Sequence, residues 1–169
     1  MNKRRHTATR IRGSGLFRIL ELKVPPLVLL MMTAAGMRAI SRMTSGLRLP
    51  IPGATWLFAG SAIAGIGIAV IGVVEFRRAG TTVDPRVPGQ SAQLVASGVY
   101  RYSRNPMYVG FLLVLCGWAV LLGNALSLLL VPAFVVYMNH FQIAPEERAM
   151  REKFGAAYTQ YADTVRRWL

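Results

Sequence analysis

Apolar residues in this chain are gathered into long runs, with the polar ones held between them. Residues 54–74, ATWLFAGSAIAGIGIAVIGVV, form a run of 21 without a charge, and about 20 such residues cross the hydrocarbon core of a bilayer. Residues 107–122 and 125–138 are two further uncharged runs. Residues 24–37 are the weakest, 14 positions with two prolines near their start. The breaks are short: Gly46, Pro50, Pro52 and Gly53 mark a loop at 44–53, and only Gly123 and Asn124 separate the last two runs. The pattern predicts an all-α integral membrane protein with about four transmembrane helices, over about 22–40, 54–77, 106–123 and 125–143. Helices three and four, joined by two residues, must then be antiparallel neighbours in a tight hairpin. After them, Pro145, Glu146 and Glu147 signal a helix start. Ala149, Met150, Phe154, Ala157, Tyr158 and Tyr161 then recur at spacings of three and four. They predict a C-terminal amphipathic helix over about 145–163, on the cytoplasmic side, packed over the mouth of the hairpin. Residues 1–15 read as a basic, disordered tail, and residues 16–169 as one membrane domain.

Composition agrees with this reading. Hydrophobic residues make up 53% of the 169, mean hydropathy is +0.39, and charged residues are 16% against roughly 25% in a soluble domain. The net charge of +13 raises the question of nucleic acid. The positions answer it: with four spans, 17 of the 20 basic residues fall on the side of the N-terminus and only Arg38, Arg42 and Arg48 on the other. That is the positive-inside bias, which places both termini in the cytoplasm. Attraction to anionic headgroups accounts for the charge, and no nucleic-acid motif accompanies it. A cleaved signal peptide is not expected, because 23 residues precede the first run and TAAGMRA is a poor cleavage site. Cys116, the single cysteine, reads as an inert buried thiol, and no ligand set for a metal is present. Ser61, Gly65, Ala69 and Gly72 form a small-residue face suited to close helix packing. Glu75, beside Arg77 and Arg78, reads as an interfacial charge.

The segment 98–110, GVYRYSRNPMYVG, differs from a linker and from lipid-facing helix alike. Pro106 fits the first turn of helix three, where its missing N–H costs nothing. Arg104, Asn105 and Tyr108 stand around that helix start, whose free N–H groups point toward the cytoplasm. The tight hairpin brings Glu146 and Glu147 close. Such a site suits a zwitterion with a cationic centre. The same residues also read as an interfacial belt of Tyr and Arg with a helix cap, and spacing alone does not choose between the two.

LVASGVYRYSRNPMYVG, followed about 35 residues later by EERAMREKFGAAYTQY, resembles the isoprenylcysteine carboxyl methyltransferase and phospholipid methyltransferase superfamily. The pattern is similar to that family's Gly-x-Tyr, Arg-His-Pro-x-Tyr-x-Gly, helical hairpin, Glu-Glu and Phe-Gly-x-x-Tyr-x-x-Tyr. Here it falls on Gly98 and Tyr100; on Arg104, Asn105, Pro106, Tyr108 and Gly110; on Glu146 and Glu147; and on Phe154, Gly155, Tyr158 and Tyr161. The resemblance covers about residues 75–169. It implies a membrane enzyme using S-adenosylmethionine, with cofactor contacts from Leu94, Val95, Gly98, Tyr100, Arg104, Asn105, Pro106, Tyr108, Glu146 and Glu147. It implies no metal and no catalytic side chain, the methyl passing by in-line displacement under positioning and desolvation. Asn105 stands where many members have histidine; asparagine does not titrate near neutrality, so a general base is excluded there and a binding role is kept. His140, just before FQIAPEE, is a substrate-side position or, equally, a helix-end histidine near headgroups. The expected acceptor is lipophilic: a prenylated cysteine carboxylate, a phospholipid amine, or a small hydrophobic thiol or acid. Two other classes fit the architecture, a nicotinamide-dependent membrane reductase of the sterol reductase type and a non-enzymatic membrane scaffold.

Overall fold

The structure, a computed structural model, describes residues 21–79 and 94–169. The predicted tail 1–15 and most of the loop 78–97, with Thr81 and Thr82, lie outside the described residues. The described residues are helical throughout, without a β-strand; Arg48 and Asn124 share one isolated bridge.

Helix α1 covers Pro26–Met43, against an expected 22–40. Its start is set by Pro25 and Pro26, since a residue before proline is pushed out of the helical region. Helix α2 covers Ala54–Arg78, entered through Gly53 at φ +73°. Helix α3 covers Pro106–Leu122 and stops at Gly123, φ +54°. Asn124 then caps the next helix, its side chain accepting from the Ser127 N–H at 2.9 Å. The expected fourth helix is not a uniform rod with an end near 143. Helices α4 (Ala125–Leu128) and α5 (Leu130–Tyr137) lead into a π-helical turn, Met138–Ile143, that runs directly into α6, Ala144–Phe154. Pro145 lies inside this continuous run. It has no N–H to offer the Phe141 carbonyl four residues back. The Leu22 N–H donates to that carbonyl at 3.0 Å, from a residue at φ +57°. The expected single C-terminal helix over 145–163 is also divided. Gly155, at φ +53° and ψ −122°, is in a conformation that side chains disfavour, and α7, Ala156–Thr164, begins beyond it.

The small-residue face of α2 does meet α3. A Cβ at Gly110 would collide with the Gly65 carbonyl and one at Gly117 with the Ser61 hydroxyl, and Gly72 lies against Met107. Backbones this close gain dispersion contacts along the whole helix pair. Leu30, Met37, Leu115, Leu122, Phe134 and Met138 form the core between α1, α3 and α5, and the Trp118 indole donates to the Ala34 carbonyl at 3.0 Å. Cys116 is not buried as expected. It is exposed, because its neighbours Leu115 and Gly117 take the inward positions on α3.

Outward, α2 presents Trp56, Ile63, Ile66 and Val70. Only 11% of its most apolar stretch is covered by protein, at a mean hydropathy of 2.3, so that surface needs an apolar solvent. This and the run Ala125–Phe154, mean hydropathy 1.5, have the length and composition to span a bilayer. The charged end of that run, residues 145–154, holds Glu146, Glu147, Arg148, Arg151, Glu152 and Lys153. It lies beyond the apolar stretch, outside the spanning segment. Helix α3 is shorter, and the arginines of α1 lower its hydropathy below that of a spanning helix.

Candidate functional site

The N-terminal ends of α3 and α6 meet at one end of the bundle. Asn105 precedes α3 but does not cap it with its side chain. Its amide instead donates to the Arg167 carbonyl at 2.9 Å. One turn on, the Tyr108 hydroxyl donates to Glu146 Oε1 at 2.7 Å. Gln142, buried in the π-helical turn, donates to the same oxygen at 2.9 Å. Glu147, also buried, faces two guanidinium groups. Arg167 grips it in bidentate fashion, at 3.0 and 2.7 Å, and Arg104 Nη1 lies 3.4 Å away. The Arg104 main-chain N–H donates to the Arg166 carbonyl at 2.9 Å. Arg104 Nε is buried and has no acceptor.

A second group lies on the α2 side. Gly98, at φ +56°, opens a 3₁₀ turn, Gly98–Arg101. A Cβ there would fall 2.8 Å from the Glu75 carboxyl carbon, so that carboxylate packs on the bare Cα of Gly98. Glu75 is therefore half-buried in the site's wall as well as ion-paired, loosely, with Arg78 at 3.9 Å. Tyr100 is buried edge-on to Phe76 at 5.0 Å. Its hydroxyl donates to the Gly72 carbonyl at 3.4 Å, and its own carbonyl accepts from the Tyr161 hydroxyl at 2.7 Å. Val95 is buried beside this turn and Leu94 half-buried.

Burial sets the electrostatics. It pushes the Glu146 carboxyl up to about 7, against the hydrogen bonds from Tyr108 and Gln142, while the charge of Glu147 pushes the same way as burial. Burial likewise raises the Tyr100 and Tyr161 phenols, Tyr100 with help from Tyr161, Glu146 and Glu75. Hydrogen bonding to Glu147 raises the Arg167 guanidinium.

Of the expected site residues, Arg104, Asn105, Tyr108, Glu146 and Glu147 come together around Pro106. Gly98 and Tyr100 belong to the second group, on the α2 side, and Leu94 and Val95 precede its 3₁₀ turn in the chain. His140 stands apart, its ring exposed and Nδ1 2.9 Å from the Val136 carbonyl of its own helix. Four participants were not expected: Glu75, Gln142, Arg167 and Trp168, whose indole donates to Asn139 Oδ1 at 3.0 Å. Gln142 carried a signal, a polar residue in an apolar stretch four positions before Glu146. Arg167 and Trp168 carried none, because their partners are 20 or more residues away in sequence.

Among the described residues, an apolar helical bundle with a polar, charge-bearing cluster at one end of its helices has the make-up of a membrane protein. The description that matches it is phospholipid methyltransferase, over residues 53–157, and the chain belongs to that family. An uncharacterised protein of Haemophilus influenzae is 48% identical over 63 residues, which is 37% of this chain and 100% of that one. The protein-S-isoprenylcysteine O-methyltransferase of Schizosaccharomyces pombe is 39% identical over 72 residues, 43% of this chain and 30% of that protein. Protein-S-isoprenylcysteine O-methyltransferase A of Arabidopsis thaliana is 40% identical over 75 residues, 43% of this chain and 36% of the other. The match thus spans about a third of the length of these named methyltransferases.

Proposed function

We propose that this protein transfers a methyl group from S-adenosylmethionine to a lipophilic acceptor at the cytoplasmic face of a membrane. The observation that carries the reading is the joining of Tyr108, Gln142 and Glu146 with Arg104, Glu147 and Arg167 at the start of α3, in a chain of this family. The residues fit such a cofactor. Arg104 Nε is a buried donor still lacking an acceptor, and Glu146 has hydrogen bonds to one of its two oxygens from Tyr108 and Gln142. When bound, S-adenosylmethionine supplies an electrophilic methyl carried on a sulfonium.

The chain's own residues then bind, orient and exclude water. Glu146 faces a cationic group, its orientation held by Tyr108 and Gln142. Glu147, Arg104 and Asn105 form the other side, with Pro106 as the floor, and Leu94, Val95, Gly98 and Tyr100 shape the wall. No side chain serves as general base. A dry site strips water from the acceptor, and alignment of acceptor and methyl supplies much of the acceleration. A lipophilic acid, amine or thiol arrives from the bilayer, and His140, exposed on the π-helical turn, is the candidate residue for the acceptor side. Residues 16–169 act as one domain with four spans and both termini cytoplasmic, on the strength of 17 of 20 basic residues; an N-terminal reporter that reads the far side of the membrane refutes that topology.

The test is calorimetric titration of detergent-purified protein with S-adenosylhomocysteine, and separately with NADPH. Saturable binding of the first and none of the second is expected. Binding of NADPH alone would move the protein to the reductase class, and binding of neither would leave a scaffold.

A further inference from the structure

The end of the bundle opposite the site is closed by the connection between α1 and α2, which packs on the turn Gly123–Asn124. The Leu49 N–H donates to the Gly123 carbonyl at 2.7 Å, and Arg48 and Asn124 share the isolated bridge. The Asn124 amide donates to the carbonyl and the hydroxyl of Thr44, each at 3.0 Å. Arg48 Nε donates to the buried Ser41 hydroxyl at 3.3 Å. Polar groups thus turn inward, and apolar side chains turn outward. Met43 is 86% exposed and Leu49 67%, with Leu47 and Ile51 exposed in the same connection. Leu128 and Leu129, just after the turn, are exposed as well. The connection leads directly into Trp56, 81% exposed, where the outward face of α2 begins. A contiguous apolar surface of this kind marks a contact with something other than water.

Three features identify what covers it. The first is the backbone. Leu47, Arg48, Leu49 and Ala54 donate their N–H groups within the protein, and Pro50 and Pro52 have none to donate. Irregular backbone at membrane depth is tolerated only when its polar groups are met in this way. The second is charge. Arg38, Arg42 and Arg48 are the only charged residues between Lys23 and Glu75. This end therefore carries positive charge alone, on long side chains that lie along apolar surface while their heads meet lipid phosphates. The third is length. Helix α3, of 17 residues, is about 25 Å long at ~1.5 Å per residue, against a hydrocarbon core of about 30 Å. With its start among the charged residues at one surface, its end at Gly123 falls short of the other.

We propose that residues 43–53, with the turn Gly123–Asn124 beneath them, form a cap that lies within the leaflet away from the site, below its headgroups, and that the partner of this surface is the lipid itself. The connection is then a membrane-contacting surface and not an aqueous loop. Its place in the bilayer does not depend on the chemistry at the other end of the bundle.

Spin labelling of the full chain, in vesicles of phosphatidylethanolamine and phosphatidylglycerol, tests this. Cys116 is replaced by serine, and a nitroxide is attached at L49C or, in a second variant, at M43C. Both side chains are exposed, so cysteine there leaves the packing intact, and a melting temperature checks each variant. T159C, exposed on α7, is the aqueous reference, and I63C, exposed on α2, the lipid reference. Collisions are read with oxygen, which concentrates in hydrocarbon, and with a nickel chelate, which stays in water. The labels at positions 49 and 43 are expected to lose most of the nickel broadening seen at T159C and to exceed it in oxygen broadening, as I63C does. Nickel broadening equal to that at T159C overturns the proposal, because the connection then lies in water. Labels reached by neither probe, with spin coupling between chains, overturn it too, because a second copy then covers the surface. Nickel broadening at I63C as well would overturn the membrane reading of the bundle and the cap with it.

Discussion

Glu146 to glutamine removes a charge while keeping the shape that Tyr108 and Gln142 hold. Its carboxyl, pushed by burial from 4.5 to about 7, carries a preference for the protonated form of about 3 kcal/mol, at roughly 1.4 kcal/mol per factor of ten. The sign follows from proton counting. Between pH 4.5 and about 7 the folded protein holds a proton that the unfolded chain releases. The stability from this group is therefore full below pH 4.5 and is lost as pH rises through about 7. Glutamine imitates the protonated acid at every pH. The two proteins should melt together near pH 4, and by pH 8 the variant should be the more stable, by up to about 3 kcal/mol. For a chain of this size that corresponds to roughly 6–12 °C. The assay is the melting temperature of detergent-purified protein from pH 4 to 8, read as the difference between variant and wild type so that other titrations cancel. Ligand binding should run the opposite way. A cationic ligand selects the ionised carboxylate, so wild-type affinity for S-adenosylhomocysteine should rise through pH 7 and the variant's should not. Parallel melting profiles over the whole range refute the reasoning, since they mean that the carboxyl titrates alike in folded and unfolded chains.

Tyr108→Phe deletes the donor 2.7 Å from Glu146 Oε1; it should weaken S-adenosylhomocysteine binding roughly tenfold by calorimetry, and an unchanged constant removes Tyr108 from the site. Gly110→Val sets a side chain against the Gly65 carbonyl and should cost more than about 2 kcal/mol of stability, read as a lower melting temperature; full stability would show that α2 and α3 are not packed backbone to backbone.

The spans and helix starts were largely legible in the sequence because they depend on local signals. A charge-free run, a proline at a first turn and a glycine after a last one each act within a few residues, so α2 and α3 lie within a residue of where the pattern puts them. The small face of α2 was legible for the same reason. The π-helical turn was not, because Pro145 signals a start as readily as it signals an interruption. Its Phe141 carbonyl accepts from the Leu22 N–H, some 120 residues upstream, a contact that no local spacing announces. Gly155 was read only as part of the Phe-Gly-x-x-Tyr-x-x-Tyr pattern, and its backbone angles make it a break. At the site, the motif residues were found as a set, but their partners were not. Asn105 is bound by a carbonyl at Arg167, and Glu147 by that residue's side chain. No local spacing relates positions 105, 147 and 167.

The location of this network follows from the same physics as the bundle. Within the apolar spans a cluster of two arginines and two acids would cost several kcal/mol for each charge left imperfectly paired. Beyond the ends of the helices the charges are affordable but water screens them. The starts of α3 and α6 lie between these limits. The helix ends provide a floor of apolar side chains, and residues 165–169 cover the cluster from above. Glu147 is buried there with two partners, and burial raises the Glu146 carboxyl to about 7 against two donors on one oxygen. On the proposed reading, a ligand that brings both a cation and an anion would pair with each half without stripping a full hydration shell from either. A site open to water would bind such a ligand weakly, and one deep in the bilayer would not admit it. The C-terminal residues are what make the intermediate position possible, since without them the Asn105 amide and the second side of Glu147 would be left to solvent.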